Sequence, residues 1–375
     1  MKRKITLGVV ISMLALLAGC GNLGNAPETS GQDSSIQQSE TVSLTSDEAI
    51  SGESVSDEAV SGEVNASGGA DTSEEPNAGT ELDADREASI VYFTSDISPE
   101  GMIAVYEALG WEPAGKVAVK LSTGEPPASN YLRPELIKDV VELVDGTIVE
   151  CNTAYGGSRA ETAMHYQVAE DHGFTAIADF QILDEDGSMS LPVEGGSQLT
   201  ENLVGAAFGD YDSYLVLSHF KGHAMAGFGG AIKNISIGLG SQEGKCLIHT
   251  GGASSTSPWG GDQTAFTESM AEAGKSVSDY LGNGERIVYI SVLNNISIDC
   301  DCDGNPAEPD IHDIGILASF DPVAIDQASI DLAFAAEGSE SLQNRVNSRN
   351  GLHTLEHAEE IGLGSRTYEL VNIDD

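Results

Sequence analysis

Three segments decide the fold: KVAVKL at residues 116–121, PELIKDVVEL at 134–143 and TIVEC at 147–151. Short β-branched runs alternate here with a longer segment of helical period, and another such segment follows at 160–172. The same order occurs upstream, at 90–94 and then 99–109. This alternation is typical of βα units. We therefore predict an α/β domain with a mainly parallel sheet covered by helices.

The rest of the domain continues the same pattern. Further strands are predicted at 214–218, 287–291 and 314–319, and further helices at 264–280, 322–336 and 355–361. The pattern weakens between residues 179 and 203, which we interpret as an inserted loop or hairpin. Ser158 and Glu161 have the spacing of a capping box and predict the start of the 160–172 helix. Asp321 followed by Pro322 predicts another helix start.

The composition excludes one large class of function. The 375 residues include 17 Lys and Arg against 60 Asp and Glu, which gives a formal charge of −43. Nucleic-acid binding depends on a surplus of cationic side chains, so we expect no nucleic-acid partner. With 40% hydrophobic residues, the chain has enough apolar material for a core.

The first twenty residues have the pattern of a bacterial export signal. A basic head at 2–4 precedes an apolar run at 5–17 that is too short to span a membrane. Leu17-Ala18-Gly19-Cys20 resembles a lipobox, which predicts a signal peptide at 1–19 and lipidation of Cys20. The expected location is the extracytoplasmic face of a membrane, with the lipid anchor as the membrane contact. The alternative is an ordinary signal peptide in which Cys20 is incidental.

Residues 20–88 have the composition of a tether. Ser, Glu, Asp, Gly, Ala and Thr dominate, and the octamer at 46–53 recurs almost unchanged at 56–63. Such a segment cannot bury enough apolar surface to offset the entropy cost of ordering it. We predict a disordered acidic tether at 20–88, followed by the α/β domain at 89–375.

One cluster of polar residues follows the strand predicted at 214–218. The segment SHFKGH at 218–223 leads into AGFGGAIKN at 226–234. In a parallel sheet, ligands bind beyond the carboxyl ends of the strands, where this segment is expected. The alternative is that its His and Lys side chains only satisfy carbonyl groups at a tight turn. The candidates for binding an anion or substrate are Lys221, Gly229, Gly230 and Lys233.

A second cluster, DCDCD at 299–303, follows the strand predicted at 287–291. Thiolates suit a zinc or iron ion, and the number of ligands is sufficient if an imidazole joins them. The alternative is free thiols, or disulfides with Cys151 or Cys246. Because both clusters follow parallel strands, we expect them to converge at one edge of the sheet. The candidate metal ligands are His219, His223, Cys300 and Cys302.

Nine motifs carry a resemblance to a known family. They are KVAVK at 116–120, YGG at 155–157 with Arg159, SHFKGH at 218–223, GFGGAIKN at 227–234, DCDC at 299–302, PAEP at 306–309, DIGILAS at 313–319, DPVA at 321–324 and EEIGLG at 359–364. Together these motifs resemble the family known as domain of unknown function 362, DUF362. The resemblance covers nearly all of the predicted domain and implies a single α/β fold of unestablished activity. Many members are described as iron–sulfur proteins with a ferredoxin-like insert, but the ferredoxin-type 4Fe–4S motif is absent from this sequence.

Two functions are compatible with these observations. The first is a metal-binding, redox-linked or metal-dependent enzyme on an extracytoplasmic anchor. The second is a lipid-anchored binding module for a small molecule or an ion. A purely structural surface protein is a third interpretation.

Overall fold

An eight-stranded sheet forms the centre of the described protein. The computed structural model describes residues 88–374. The predicted signal peptide, Cys20 and nearly all of the predicted tether lie outside the described residues. Among the helices that are described, none combines the length and the apolar character needed to cross a bilayer.

Within residues 88–374 the chain forms twelve strands and nine α-helices. The strands are β1 Ser89–Thr94, β2 Val117–Lys120, β3 Thr147–Glu150, β4 Phe180–Ile182, β5 Ser188–Pro192, β6 Glu201–Gly205, β7 Ser213–His219, β8 Lys221–His223, β9 Gly227–Gly229, β10 Ile287–Leu293, β11 Gly315–Ser319 and β12 Tyr368–Asn372. The helices are α1 Pro99–Leu109, α2 Pro134–Leu143, α3 Thr162–Asp171, α4 Ala231–Ser236, α5 Gln242–His249, α6 Gln263–Tyr280, α7 Pro322–Ala335, α8 Glu340–Ser348 and α9 His353–Glu360.

The large sheet has the strand order β12-β1-β11-β10-β7-β2-β3-β4. Strand β11 is antiparallel to both of its neighbours, and the other pairings are parallel. Strands β10, β7, β2 and β3 are adjacent and point the same way, so their carboxyl ends meet at one edge. The predicted mainly parallel α/β fold is confirmed.

Helices cover both faces of this sheet. One apolar cluster packs residues of α4 and α7 against one face, and a second packs α1 and α2 against the other. Local signals set several helix ends. Asp321 caps α7 by accepting from the backbone N–H groups of Val323 and Ala324, which confirms the start predicted from Asp321-Pro322.

The structure departs from the sequence prediction in short elements. The stretch interpreted as a loop or hairpin contains β4, which joins the main sheet, and the antiparallel hairpin β5–β6. Strands β8, β9 and β12 and helices α4, α5 and α8 were not predicted. The prediction of a capping box at Ser158 and Glu161 was wrong. Helix α3 begins at Thr162, and its N-cap residue Glu161 makes no side-chain capping bond. The N–H group of Ser158 instead donates to Glu125.

Candidate functional site

Polar residues end three neighbouring strands at the shared edge of the sheet. Lys120 ends β2, Glu150 ends β3 and His219 ends β7, and all three are buried. The Nζ atom of Lys120 lies 2.9 Å from Oε2 of Glu150. Parallel strands place these residues side by side, as expected for a ligand site at the carboxyl edge.

The two loops singled out in the sequence meet at this edge. The N–H group of Gly222 donates to the carbonyl of Ser297 at 2.8 Å. A Cβ atom at Gly222 would lie 2.3 Å from the carbonyl oxygen of Ile298, so this close approach of two backbones requires glycine. The contact places His223 beside the second loop, with its Nε2 atom 4.0 Å from Sγ of Cys302.

His223, Cys300 and Cys302 form a cluster of three potential metal ligands. Their ligand atoms lie within 4.8 Å of one another. His223 and Cys300 are buried, whereas Cys302 is exposed. All four cysteines in the described part of the chain are free thiols, so neither Cys300 nor Cys302 is in a disulfide with Cys151 or Cys246.

The hydrogen bonds of His223 determine which ring nitrogen carries its proton. Its Nδ1 atom accepts from the backbone N–H groups of Met225 at 3.1 Å and Ala226 at 2.9 Å. A neutral imidazole that accepts at Nδ1 has its hydrogen on Nε2. The Nε2 hydrogen therefore points toward the two sulfurs. In metal sites, by contrast, the ring nitrogen that does not bind the metal usually carries the hydrogen and donates it. Ligation through Nε2 would require this proton to be lost.

The two thiols share their electrostatic environment. The pKa of Cys300 lies well below its usual range because the Cys302 thiol donates to it. The positive charge of Lys233 and a hydrogen bond from His223 lower it further, and together these effects outweigh that of burial. The same contact raises the pKa of Cys302. Cys300 is therefore the sulfur that loses its proton first.

His219 lies outside this cluster. Its Nδ1 atom is 2.8 Å from Asp301 Oδ1, and its Nε2 atom is 2.7 Å from the carbonyl oxygen of Asn294. Lys221 also pairs with Asp301, at 2.8 Å. Burial would raise the pKa of Asp301, but His219 and Lys221 lower it. Asp301 is thus an ionic link that fastens the DCDC loop to the loop that follows β7.

A cavity of about 80 Å³ lies beneath the cluster and is lined with cations. Of the 17 Lys and Arg residues in the chain, five line it. Lys120 and Arg159 pair with Glu150, and Lys221 pairs with Asp301. Lys233 and Lys245 differ from these three, because neither forms an ion pair with a carboxylate of residues 88–374. The five cations are Lys120, Arg159, Lys221, Lys233 and Lys245.

Lys233 and Lys245 therefore have positive charge available for a ligand. Lys245 is buried and donates to the carbonyl of Gly240 at 2.6 Å. Lys233 is half-buried, in the short helix α4, and its ammonium group has neither a hydrogen bond nor an ion pair within the described residues. An anion that entered the cavity would supply the missing negative charge.

Gly229 and Gly230 also line the cavity, and each makes room for a side chain. A Cβ atom at Gly229 would lie 3.4 Å from the stems of Lys221 and Lys233. One at Gly230 would lie 2.2 Å from a carboxylate oxygen of Asp326. Asp326 accepts from the N–H groups of Ala231 and Ile232, so those donors at the start of α4 are occupied by the protein itself.

Sequence reasoning missed Lys120, Arg159 and Lys245 as cavity residues. The Arg159 side chain lies 3.2 Å from Glu125 and 3.4 Å from Glu150. These partners are 34 and 9 positions away in the sequence. One signal was present for Lys120, because a lysine ends an otherwise apolar strand at the carboxyl edge. Arg159 was marked only as part of a motif in the family resemblance, and Lys245 carried no signal. Neither the turn before α3 nor the helix α5 indicates which of its side chains point inward.

Residues 117–331 match the model of a family described as "Domain of unknown function (DUF362)". Several solved structures are similar to this chain, among them the following two. The lactate racemase apoprotein from Thermoanaerobacterium thermosaccharolyticum has a TM-score of 0.33 and 16% identity over 54% of this chain and 50% of that one. A protein from Thermotoga maritima has a TM-score of 0.35 and 13% identity over 70% of this chain and 58% of that one. The chain thus spans between half and three-fifths of these proteins, and a comparison with curated proteins found no match.

Proposed function

Because the chain belongs to the DUF362 family, whose description assigns no activity, we propose a function from the geometry of the site. The domain binds a small anionic molecule in the cation-lined cavity, beside the thiols of Cys300 and Cys302. One observation carries this proposal: an acidic protein concentrates five of its 17 Lys and Arg residues around a single cavity.

The charge balance of the cavity supports an anionic ligand. Glu150 and Asp301 are its two carboxylates, and the Cys300 thiolate adds a third negative charge, against five cations. Burying uncompensated ammonium groups is costly, and a bound anion reduces that cost. At an effective dielectric constant of 20, two opposite charges 4 Å apart attract by about 4 kcal/mol. Lys233 and Lys245 are the residues that the anion would neutralise.

Calorimetric titration of the full chain with acetate and with inorganic phosphate tests this proposal. Lys233→Gln should weaken the binding of the better anion about tenfold or more, because a hydrogen bond to a charged group contributes about 1.5–3 kcal/mol. Lys138→Gln is the matched control, since Lys138 is exposed on α2 and forms only a surface pair with Glu142. Equal effects of the two variants, or no binding of either anion to the wild type, would contradict the proposal.

A second candidate function is the binding of a zinc or iron ion by the Cys300 and Cys302 thiols. The distances within the cluster favour it, since three ligand atoms lie within 4.8 Å of one another. Cysteine thiolates are preferred ligands of both metals. Because Nδ1 of His223 accepts two N–H groups, the two sulfurs would carry the binding unless the Nε2 proton is lost.

Elemental analysis of the purified full chain tests the metal candidate. We expect about one zinc or iron ion per chain in the wild type and in Cys246→Ser, and a large loss in Cys302→Ser. Cys246 is the control because it is a free thiol outside the cluster. Metal content that does not change in Cys302→Ser would exclude this cluster as the metal site.

We place this activity on the extracytoplasmic face of a bacterial membrane. The proposal rests on the sequence alone, in which residues 1–19 have the pattern of an export signal and are followed by Cys20, the predicted lipidation site. The acidic segment at 20–88 would act as a tether between the lipid and the domain.

A further inference from the structure

A second cavity adjoins the cation-lined one, and we refer to it as the vestibule. It is about 320 Å³ in volume. The two cavities share five lining residues, so a molecule could occupy both at once. The shared residues are Thr153, Tyr155, Arg159, His223 and Cys302.

The two cavities differ in size, which indicates that each would hold a different part of a ligand. The inner cavity, at about 80 Å³, is much smaller than the roughly 300–1,000 Å³ of ordinary small-molecule pockets. It has space for an anionic group of a few atoms. The vestibule, at about 320 Å³, falls within the ordinary range, so the body of the ligand would lie there.

Aromatic rings form one wall of the vestibule. The ring centroids of Tyr155 and Trp259 are 6.1 Å apart, and those of Tyr155 and His249 are 5.0 Å apart. Trp259 is 59% exposed, although it is a large apolar side chain. An exposed tryptophan at the mouth of a cavity offers a flat apolar surface that a ligand ring can cover.

The ionised groups of the vestibule neutralise each other. Glu125 and Arg159 both line it, and their side chains lie 3.2 Å apart. The other wall residues are aromatic, small or otherwise without a formal charge, and they include the neutral imidazole of His223. The vestibule therefore favours an uncharged ligand body, in contrast to the cationic inner cavity.

We propose that the ligand is a small acid that carries a planar aromatic ring. Its anionic group would lie in the inner cavity near Lys233, and its ring would contact Tyr155 and Trp259 in the vestibule. This inference rests on the proposed anion-binding function and adds the chemical class of the ligand.

Calorimetric titration of the full chain with two matched pairs of acids tests the inference. The pairs are acetate with benzoate, and methylphosphonate with phenylphosphonate; in each pair the acidic group is the same and only the second member has a ring. In at least one pair the aromatic acid should bind about tenfold more tightly. Trp259→Ala should remove most of that difference and leave the affinity for the ring-free acid within about twofold. Phe320→Ala is the control, because Phe320 is also an exposed aromatic but lines neither cavity.

The outcomes separate this inference from the proposed function. If the ring-free acids bind and the aromatic acids bind no more tightly, the inference is wrong and the anion site stands. The same conclusion follows if Trp259→Ala weakens both members of a pair equally. If none of the four acids binds, both the anion site and the aromatic ligand are refuted.

Discussion

The Sγ atom of Cys302 lies 4.0 Å from Nε2 of His223, although 79 residues separate them in sequence. Two loops produce this contact, one after β7 and one after β10, which are adjacent parallel strands. Asp301 in the second loop also ties the two loops together, because it contacts His219 and Lys221 of the first segment. The thiols are therefore fixed at the mouth of the cation-lined cavity.

Replacement of Gly222 by Ala should push these two loops apart. The added Cβ would lie 2.3 Å from the carbonyl oxygen of Ile298, and the neighbouring atoms are backbone. We expect a loss of about 1–3 kcal/mol in the free energy of unfolding, measured by urea denaturation.

Gly274→Ala is the control for that measurement. Gly274 is inside α6, where a Cβ would meet only side-chain atoms at 3.4 Å or more, and alanine favours a helix. If Gly222→Ala is no more destabilising than Gly274→Ala, the close approach at Gly222 is not required.

Glu150→Gln should strongly destabilise the domain. Burial would raise the pKa of Glu150, but Lys120, His165 and Arg159 lower it to about 2, so it is ionised at neutral pH. Its neutral replacement would leave buried cations without their partner, at a cost of about 3–5 kcal/mol in unfolding free energy. Glu142→Gln removes an exposed partner of Lys138 and should cost less than about 1 kcal/mol. Similar values for the two variants would show that the buried pair is not stabilising.

Asp326 should make the stability depend on pH. Burial raises the pKa of Asp326 to about 7, whereas an unfolded Asp ionises near pH 4. Between these values the folded state binds more protons, so stability from this group is present below about pH 4 and is lost as the pH rises through about 7.

Asp326→Asn should remove that dependence. Measured from pH 4 to pH 8, the unfolding free energy of the wild type should fall relative to the variant by up to about 1.4 kcal/mol per pH unit. A constant difference between the two proteins would mean that the pKa of Asp326 is not raised.

Cys20→Ser should release the protein from membranes. Without an acyl chain, we expect the exported protein in the soluble fraction, as detected by fractionation and immunoblotting. Retention of the variant on membranes after removal of its signal peptide would show that another segment provides the anchor.

Limited proteolysis should locate the start of the folded domain. If residues 21–88 form a disordered tether, proteases should trim the protein to a resistant fragment that begins near Ser89, with an unchanged unfolding midpoint. A protected fragment that begins before Gly68 would refute this boundary.

The sequence by itself determined the α/β class and most of the long elements. The helix α7 illustrates why: Asp321, Pro322 and an apolar run act within a few residues of one another, so its start needs no distant contact. The convergence of the SHFKGH and DCDC loops was also predictable, because parallel strands deliver their following loops to one edge.

Only the tertiary structure decided which side chains make up the site. The short strands β8 and β9 pair with each other in a small sheet of their own, and no local period marks them. Lys120, Arg159 and Lys245 come from separate elements, and their shared cavity depends on how those elements pack. His219 and His223 look equivalent in the sequence, yet Asp301 and Asn294 engage both nitrogens of the first, while two backbone N–H groups engage Nδ1 of the second. Their different roles follow from hydrogen-bond partners that the order of residues does not specify.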